Sequence, residues 1–291
     1  MKTFGYWLLV GFLWLLSRLP YSLVAKAGSG LGALLYKIPS RRRHIVNVNL
    51  RLCFPDRTEP ERETLARAHF RHVIRSYLER GFQWFGSAGS IRRRVRIDSR
   101  IDLLDPGAPP TIFMGFHFVA IEMGCMLYSM DLPVAALYTR MSNSRLCEFA
   151  RRQRGRFGAQ MIERGASAKR VVKLLRSGVP VMLAADMDHG ADGSVFVPLF
   201  GVPACTLTSV SRLAKLGGAR VVPFVTEVLP DFQGYKLTIF EPLENYPSDC
   251  ETRDARAMNA FLEQQILRLP DQYYWVHRRF KSRPADTPGV Y

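Results

Sequence analysis

Beyond residue 100 short β-rich apolar runs alternate with stretches of helical periodicity, and this alternation limits the possible folds more than any other feature. The candidate strands are Thr111 to Gly115, Val134 to Tyr138, Pro180 to Ala185, Ser194 to Pro198, Arg220 to Thr226 and Tyr235 to Phe240. Helical patterns lie between them at about 119–129, 143–156, 166–177, 206–217 and 252–268. Such an order predicts an α/β domain with a mostly parallel or mixed central sheet covered by helices. No repeat or linker divides the 291 residues, and a hydrophobic content of 47% excludes a disordered chain.

The first 90 residues read differently. Between Lys2 and Arg18 lie fifteen uncharged residues, Phe4 to Leu16 almost wholly apolar. At the helical rise they reach roughly 22 Å, short of the roughly 30 Å hydrocarbon core of a bilayer. Pro20 and the series Gly28, Gly30 and Gly32 argue for a break in the continuation. The expectation is a tilted or partly inserted membrane anchor over residues 1–40, with Trp7 and Trp14 in an interfacial belt and Arg41, Arg42 and Arg43 on the cytoplasmic side. A secretory signal and a buried soluble helix are the alternatives. From Glu59 onward Phe70, Val73, Ile74, Tyr77, Leu78, Phe82 and Phe85 recur at helical spacing, which predicts one long amphipathic helix. Its remaining surface is taken largely by Arg62, Arg67, Arg71, Arg75 and Arg80, to be solvated or laid on anionic headgroups. His44, His69 and His72, among these arginines, read as surface or packing residues. Residues 41–90 are thus expected to be helical and 91–291 to form the α/β catalytic part.

Charge narrows the partners. The net charge is +16, the first acidic residue is Asp56, and of 41 basic residues 33 are arginine. An arginine-rich surface favours forked contacts with phosphates and carboxylates and seeks an anionic partner. A non-catalytic nucleic-acid binder has only this charge in its favour, since no aromatic-basic motif for base stacking accompanies it. Five widely separated cysteines without a C-x-x-C indicate neither a disulfide framework nor a zinc site and point to a cytosol-facing globular part.

P-loop, nucleophile-elbow and zinc-protease motifs are absent. What remains is Gly115-Phe116-His117-Phe118-Val119-Ala120-Ile121-Glu122, with a histidine and a glutamate five apart just past a predicted strand. On a continuous helix they would stand about 140° apart. At a strand-to-helix turn the carboxylate can bond the imidazole, fix its tautomer and stabilise its protonated form. Asp186 and Asp188 follow another apolar strand, placed to bind sugar hydroxyls or hold an arginine. His189 beside them raises a metal site, which nothing else in the sequence supports. His277-Arg278-Arg279 reads first as structural, with phosphate contact second.

By these motifs the chain resembles the lipid A biosynthesis acyltransferase family over nearly its whole length. The resemblance rests on R-R-R-H-I-V-N-V-N-L-R-L-C-F-P (Arg41 to Pro55), G-F-H-F-V-A-I-E (Gly115 to Glu122), A-A-D-M-D-H-G (Ala184 to Gly190), V-F-V-P-L-F-G (Val195 to Gly201) and Q-Y-Y-W-V-H-R-R-F-K (Gln272 to Lys281). It implies a glycerolipid-acyltransferase-like fold and transfer of a fatty acyl chain from acyl carrier protein to a hydroxyl of a lipid A precursor, with no metal or other cofactor. The family's H-x-x-x-x-[DE] dyad falls on His117 as general base and Glu122 as its orienting acid. Arg154, Arg156 and Arg164 become candidate substrate-binding or oxyanion donors, and Arg140 a further anion site. Phe116, where the related glycerolipid enzymes usually have Asn, lowers a glycerol phosphate reading. An ornithine lipid, glycolipid or glycerophospholipid acceptor remains the alternative. Expected partners are acyl carrier protein, the lipid precursor and the anionic membrane surface, not nucleic acid, and the expected location is the cytoplasmic face of a bacterial inner membrane.

Overall fold

The computed structural model describes residues 3–102, 105, 107–165 and 168–291. Five helical segments come first: α1 (Thr3–Ser17), α2 (Tyr21–Lys37), α3 (Arg41–Cys53), α4 (Glu59–Leu78) and α5 (Arg80–Phe85). After the short α6 (Ala88–Arg92) come β1 (Val95–Ser99), β2 (Thr111–Gly115), α7 (Ile121–Asp131), β3 (Ala135–Tyr138), α8 (Ser144–Gly155), β4 (Gln160–Glu163), α9 (Ala168–Arg176) and β5 (Val181–Ala184). A hairpin of β6 (Ser194–Leu199) and β7 (Val202–Leu207) leads into α10 (Ser209–Gly217), β8 (Arg220–Val228), β9 (Tyr235–Ile239) and α11 (Glu251–Arg268).

The predicted α/β architecture is present. Seven strands form one mixed sheet in the order β1-β9-β8-β2-β5-β3-β4, in which β8 and β9 pair antiparallel and every other neighbour parallel. The candidate strand at Ser194 stands apart from it, paired with β7 in a separate two-stranded ribbon. Alternate strand residues build different cores on the two faces. Phe113, Met182, Val222 and Phe224 pack beneath α7, whereas Met114, Leu183, Val221 and Val225 join the larger core that includes α9, α10 and α11. Predicted and observed helices agree within about two residues, except that residues 166–167 of the fourth lie outside the described residues and that β7 occupies the start of the fifth.

The amino-terminal expectations need correction. Among the described residues no helix is long and apolar enough to cross a membrane. The chain breaks at Pro20 into two helices whose inner sides pack onto protein. A methyl group on Gly28 would sit 2.7 Å from the Arg75 Cα, and one on Gly32 2.4 Å from the Phe70 carbonyl oxygen. These glycines therefore serve close packing of α2 on α4 rather than a helix break. Gly81 does the same for α1 and α5, with a Cβ position 2.3 Å from the Leu13 carbonyl oxygen. The predicted long helix is interrupted at Glu79, whose buried carboxylate takes Arg75 Nε at 2.6 Å and the hydroxyl of Tyr235. Arg75, expected on the surface, is accordingly buried.

Candidate active site

Register places the central pair of side chains. β2 and β5 run parallel with Gly115 opposite Ala184, so the loops leaving them start side by side. His117 and Asp186 each lie two residues beyond that pair, and they meet. The Asp186 carboxylate accepts the His117 backbone N–H at 2.9 Å and lies 2.6 Å from imidazole Nδ1. Asp186 is fully buried. Burial alone would raise its pKa, but the charge and hydrogen bonds of His117 outweigh that and hold the carboxyl below its usual range. The ionised carboxylate accepts from Nδ1–H, which leaves the Nε2 lone pair as the available base.

The carboxy-terminal segment fixes this loop from the other side. Tyr274 donates its backbone N–H to the His117 carbonyl at 2.8 Å, and Val119 donates to the Gln272 carbonyl at 2.9 Å. The Tyr77 and Tyr274 hydroxyls are 2.5 Å apart, and both residues line the same cavity as His117.

Glu122 does not bond the imidazole, contrary to the expectation from spacing. From the first turn of α7 its buried carboxylate takes Arg154 at 2.8 and 2.9 Å and Arg80 at 2.5 Å. Burial pushes its pKa up, but the two arginine charges outweigh burial and hold it far below the carboxylate range. Two cations thus share one carboxylate on the cavity wall. Asp186, from the expected binding set, stands in the place expected of Glu122 as the imidazole's partner.

The other candidates separate. Asp188 is buried and accepts from the Ser282 N–H at 2.7 Å, the Ser282 hydroxyl at 2.8 Å and the Gly190 N–H at 3.0 Å, so it secures the carboxy-terminal tail, and it does not line the cavity. Arg156 donates to the Gln83 and Gly86 carbonyls at 2.9 and 2.5 Å, which satisfies the end of α5, and it does not line the cavity. Arg140 is exposed and does not line the cavity. Arg164 and Arg154 do line it. Partial burial lowers the Arg164 pKa, and no carboxylate partner of Arg164 is found among the described residues. His189 also faces the cavity, neutral at pH 7 because burial, then the charges of Arg164, Lys281 and His117, push its pKa down to about 4. Sequence reasoning missed Arg80 and the Tyr77–Tyr274 pair. The only signal for Tyr274 was its place in the Gln272 to Lys281 motif.

The cavity, about 680 Å³, opens where β3 and β5 part. These strands pair only at Ala135–Val181 and Ala136–Met182, after which β3 stays with β4 and β5 with β2. A crevice beyond the carboxyl ends of diverging strands is where open α/β sheets bind ligands. The walls are largely apolar, and the charged and polar groups above line them together with His117.

A family profile described as bacterial lipid A biosynthesis acyltransferase matches residues 1–282. The chain belongs to that family. It is 36% identical over 288 residues to the lipid A biosynthesis lauroyltransferase of Escherichia coli (strain K12), covering 98% of this chain and 94% of that protein. It is 33% identical over 292 residues to the palmitoleoyltransferase of the same strain, at the same coverage. A lipid A biosynthesis acyltransferase of Haemophilus influenzae is 32% identical over 295 residues, covering 100% of this chain and 94% of the other. Among solved structures, the 1-acyl-sn-glycerophosphate acyltransferase PlsC of Thermotoga maritima overlaps with a TM-score of 0.35 at 14% identity, covering 82% of this chain and 94% of that one. That overlap is too loose to bear on function. In this acyltransferase the His117 imidazole is bonded to Asp186, and Glu122 is bonded to Arg154 and Arg80 instead.

Proposed function

We propose that this acyltransferase moves a fatty acyl chain from the thioester of acyl carrier protein to a hydroxyl of a phosphorylated lipid A precursor, with His117 as general base and Asp186 as its positioning residue. The observation that carries the reading is the His117 imidazole held by Asp186 at 2.6 Å on the wall of a large apolar cavity. Nε2 takes the proton of the acceptor hydroxyl as its oxygen attacks the thioester carbonyl. Asp186 steadies the imidazolium that forms. The tetrahedral oxyanion is balanced by Arg80 and Arg154, whose two charges exceed that of Glu122 by one. Collapse breaks the carbon–sulfur bond, the imidazolium returns its proton to the departing thiolate, and an ester remains on the acceptor.

The amino-terminal helices supply the approach to lipid. Trp7, Leu8 and Leu15 of α1 are 63%, 57% and 55% exposed, and Leu23 and Leu34 of α2 are 53% and 57% exposed. With Arg41, Arg42 and Arg43 following, this face suits shallow insertion at the anionic cytoplasmic surface of the inner membrane. The test is mass spectrometry of lipid A from cells with the protein, without it, and with His117→Ala or Asp186→Asn. The expected result is one secondary acyl chain that disappears in all three deficient cases. Unchanged lipid A with an altered aminolipid or glycerophospholipid would replace the acceptor.

A further inference from the structure

Adjacent residues of one strand point to opposite faces of a sheet. Met182 and Leu183 of β5 nevertheless line one cavity, as do Ala136 and Leu137 of β3. Their side chains belong to the two different faces, Met182 and Ala136 to the core beneath α7 and Leu183 and Leu137 to the core of α9 and α10. The cavity therefore passes through the gap where β3 and β5 part and continues on both faces.

We infer that this gap divides the cavity into two lipid-binding arms, a closed arm beneath α7 that measures the transferred acyl chain and an open arm at α9 and α10 that seats a hydrocarbon chain of the acceptor. The division presupposes the acyl transfer proposed above. His117 follows β2, which only β5 separates from the gap, and it lines the same cavity.

The closed arm is walled by Cys125, Ala136, Met161, Met182 and Phe224. Ala136, Met182 and Phe224 are buried, and Cys125 and Met161 are half-buried. The side toward β8 is shut. A methyl group on Gly115 would lie 2.6 Å from the Phe224 ring, and one on Gly124 2.2 Å from the Thr226 hydroxyl. Such an apolar, enclosed space suits an unbranched hydrocarbon chain whose carbonyl end stays at the gap. The open arm is walled by Leu137, Val171, Leu183, Leu207, Leu213 and Leu216. Leu216 is 54% exposed, and Arg164 and His189 line the cavity with it. A phosphorylated molecule with several chains is too large for the closed arm, and this one offers in Arg164 a guanidinium without a carboxylate partner among the described residues, beside an apolar trough that reaches the surface.

Full-length protein given an equimolar mixture of acyl carrier protein thioesters of graded chain length and a lipid A precursor tests the division by mass spectrometry of the products. Ala136→Phe fills the closed arm and is expected to shorten the preferred chain, with discrimination changing by about fourfold for each methylene excluded. Met161→Ala, at a half-buried position that tolerates truncation, is expected to lengthen it. Neither change alters the KM for the acceptor. Leu216→Glu, on the surface, is expected to raise the acceptor KM several-fold and leave chain preference as in wild type. Wild-type transfer to the precursor checks the underlying reaction separately. Unchanged chain preference in both closed-arm variants, or altered chain preference in Leu216→Glu, overturns the assignment of arms.

Discussion

Asp186 and Glu122 are both buried carboxylates at one cavity, Glu122 in its wall and Asp186 behind the lining His117, yet one bonds an imidazole and the other two guanidinium groups. The difference lies in what each loop meets. Beyond β5 the chain runs beside the loop after β2, and the imidazole is the group within reach. In the first turn of α7 the side chain is turned toward α5 and α8, where Arg80 and Arg154 stand. A buried charge is stable only when compensated, and each carboxylate takes the cation its neighbourhood supplies. Spacing along the sequence therefore names the residues of the site without assigning their partners.

The largest expected effect breaks the comparison on the side of Asp186. Asp186→Asn keeps the shape of the side chain but removes the charge that selects the tautomer and stabilises the imidazolium. Steady-state assays are expected to show kcat reduced on the order of 10³-fold, in the range of general-base and tautomer losses, in a protein still folded at the assay temperature although its melting at pH 7 is lowered by loss of the ionised carboxylate. A variant with wild-type turnover would take Asp186 out of the mechanism.

Glu122 is next, and its loss acts first on the fold. Glu122→Ala leaves two largely buried arginines facing each other, and breaking such a pair costs about 3 to 5 kcal/mol. Calorimetry is expected to show melting lowered on the order of 10 °C, with activity falling as Arg80 and Arg154 leave the wall. If Glu122→Ala melted like wild type yet lost all turnover, the glutamate would belong with the imidazole after all.

The legibility of the sequence divides along the same line. Strands with buried, β-rich interiors such as β2, β5 and β8 stand out as apolar runs, and the α/β class follows from their alternation. β4 is missed because only Ile162 of its four residues is buried, and β1 because Arg96 and its neighbours read as a charge run on an exposed edge. β7 blends into the helical pattern that begins at residue 206. In the amino-terminal apolar run the break at Pro20 is legible, but the packed inner faces of the two helices are not, since the glycine contacts that fold them back depend on α4 and α5. His117 is found from its motif, whereas its bond to Asp186 spans 69 residues and depends on strand register, which periodicity does not reveal.

The smallest effect separates the carboxylates from the histidines that surround them. Burial first, then the charges of His117, Arg279 and His189, outweigh the attraction of Asp186 and lower the His277 pKa to about 4, while His189 is also lowered to about 4. The unfolded chain binds these protons near pH 6.5. Between about pH 6.5 and 4 it therefore holds more protons than the folded one, so stability falls as the pH is lowered through this window. Asp186 and Glu122, with depressed pKa values, stabilise the fold above the ordinary carboxylate range near pH 4, and that contribution is lost as the pH falls through their folded values. Melting followed from pH 7 to 3 is then expected to fall in two stages. His277→Gln keeps an acceptor for the Asp188 N–H, now made to Nε2 at 3.3 Å, and is expected to flatten the upper stage alone. Asp186→Asn is expected to flatten the lower one. A His277→Gln curve parallel to wild type above pH 4 would mean that this imidazole takes up its proton equally in the folded and unfolded chains.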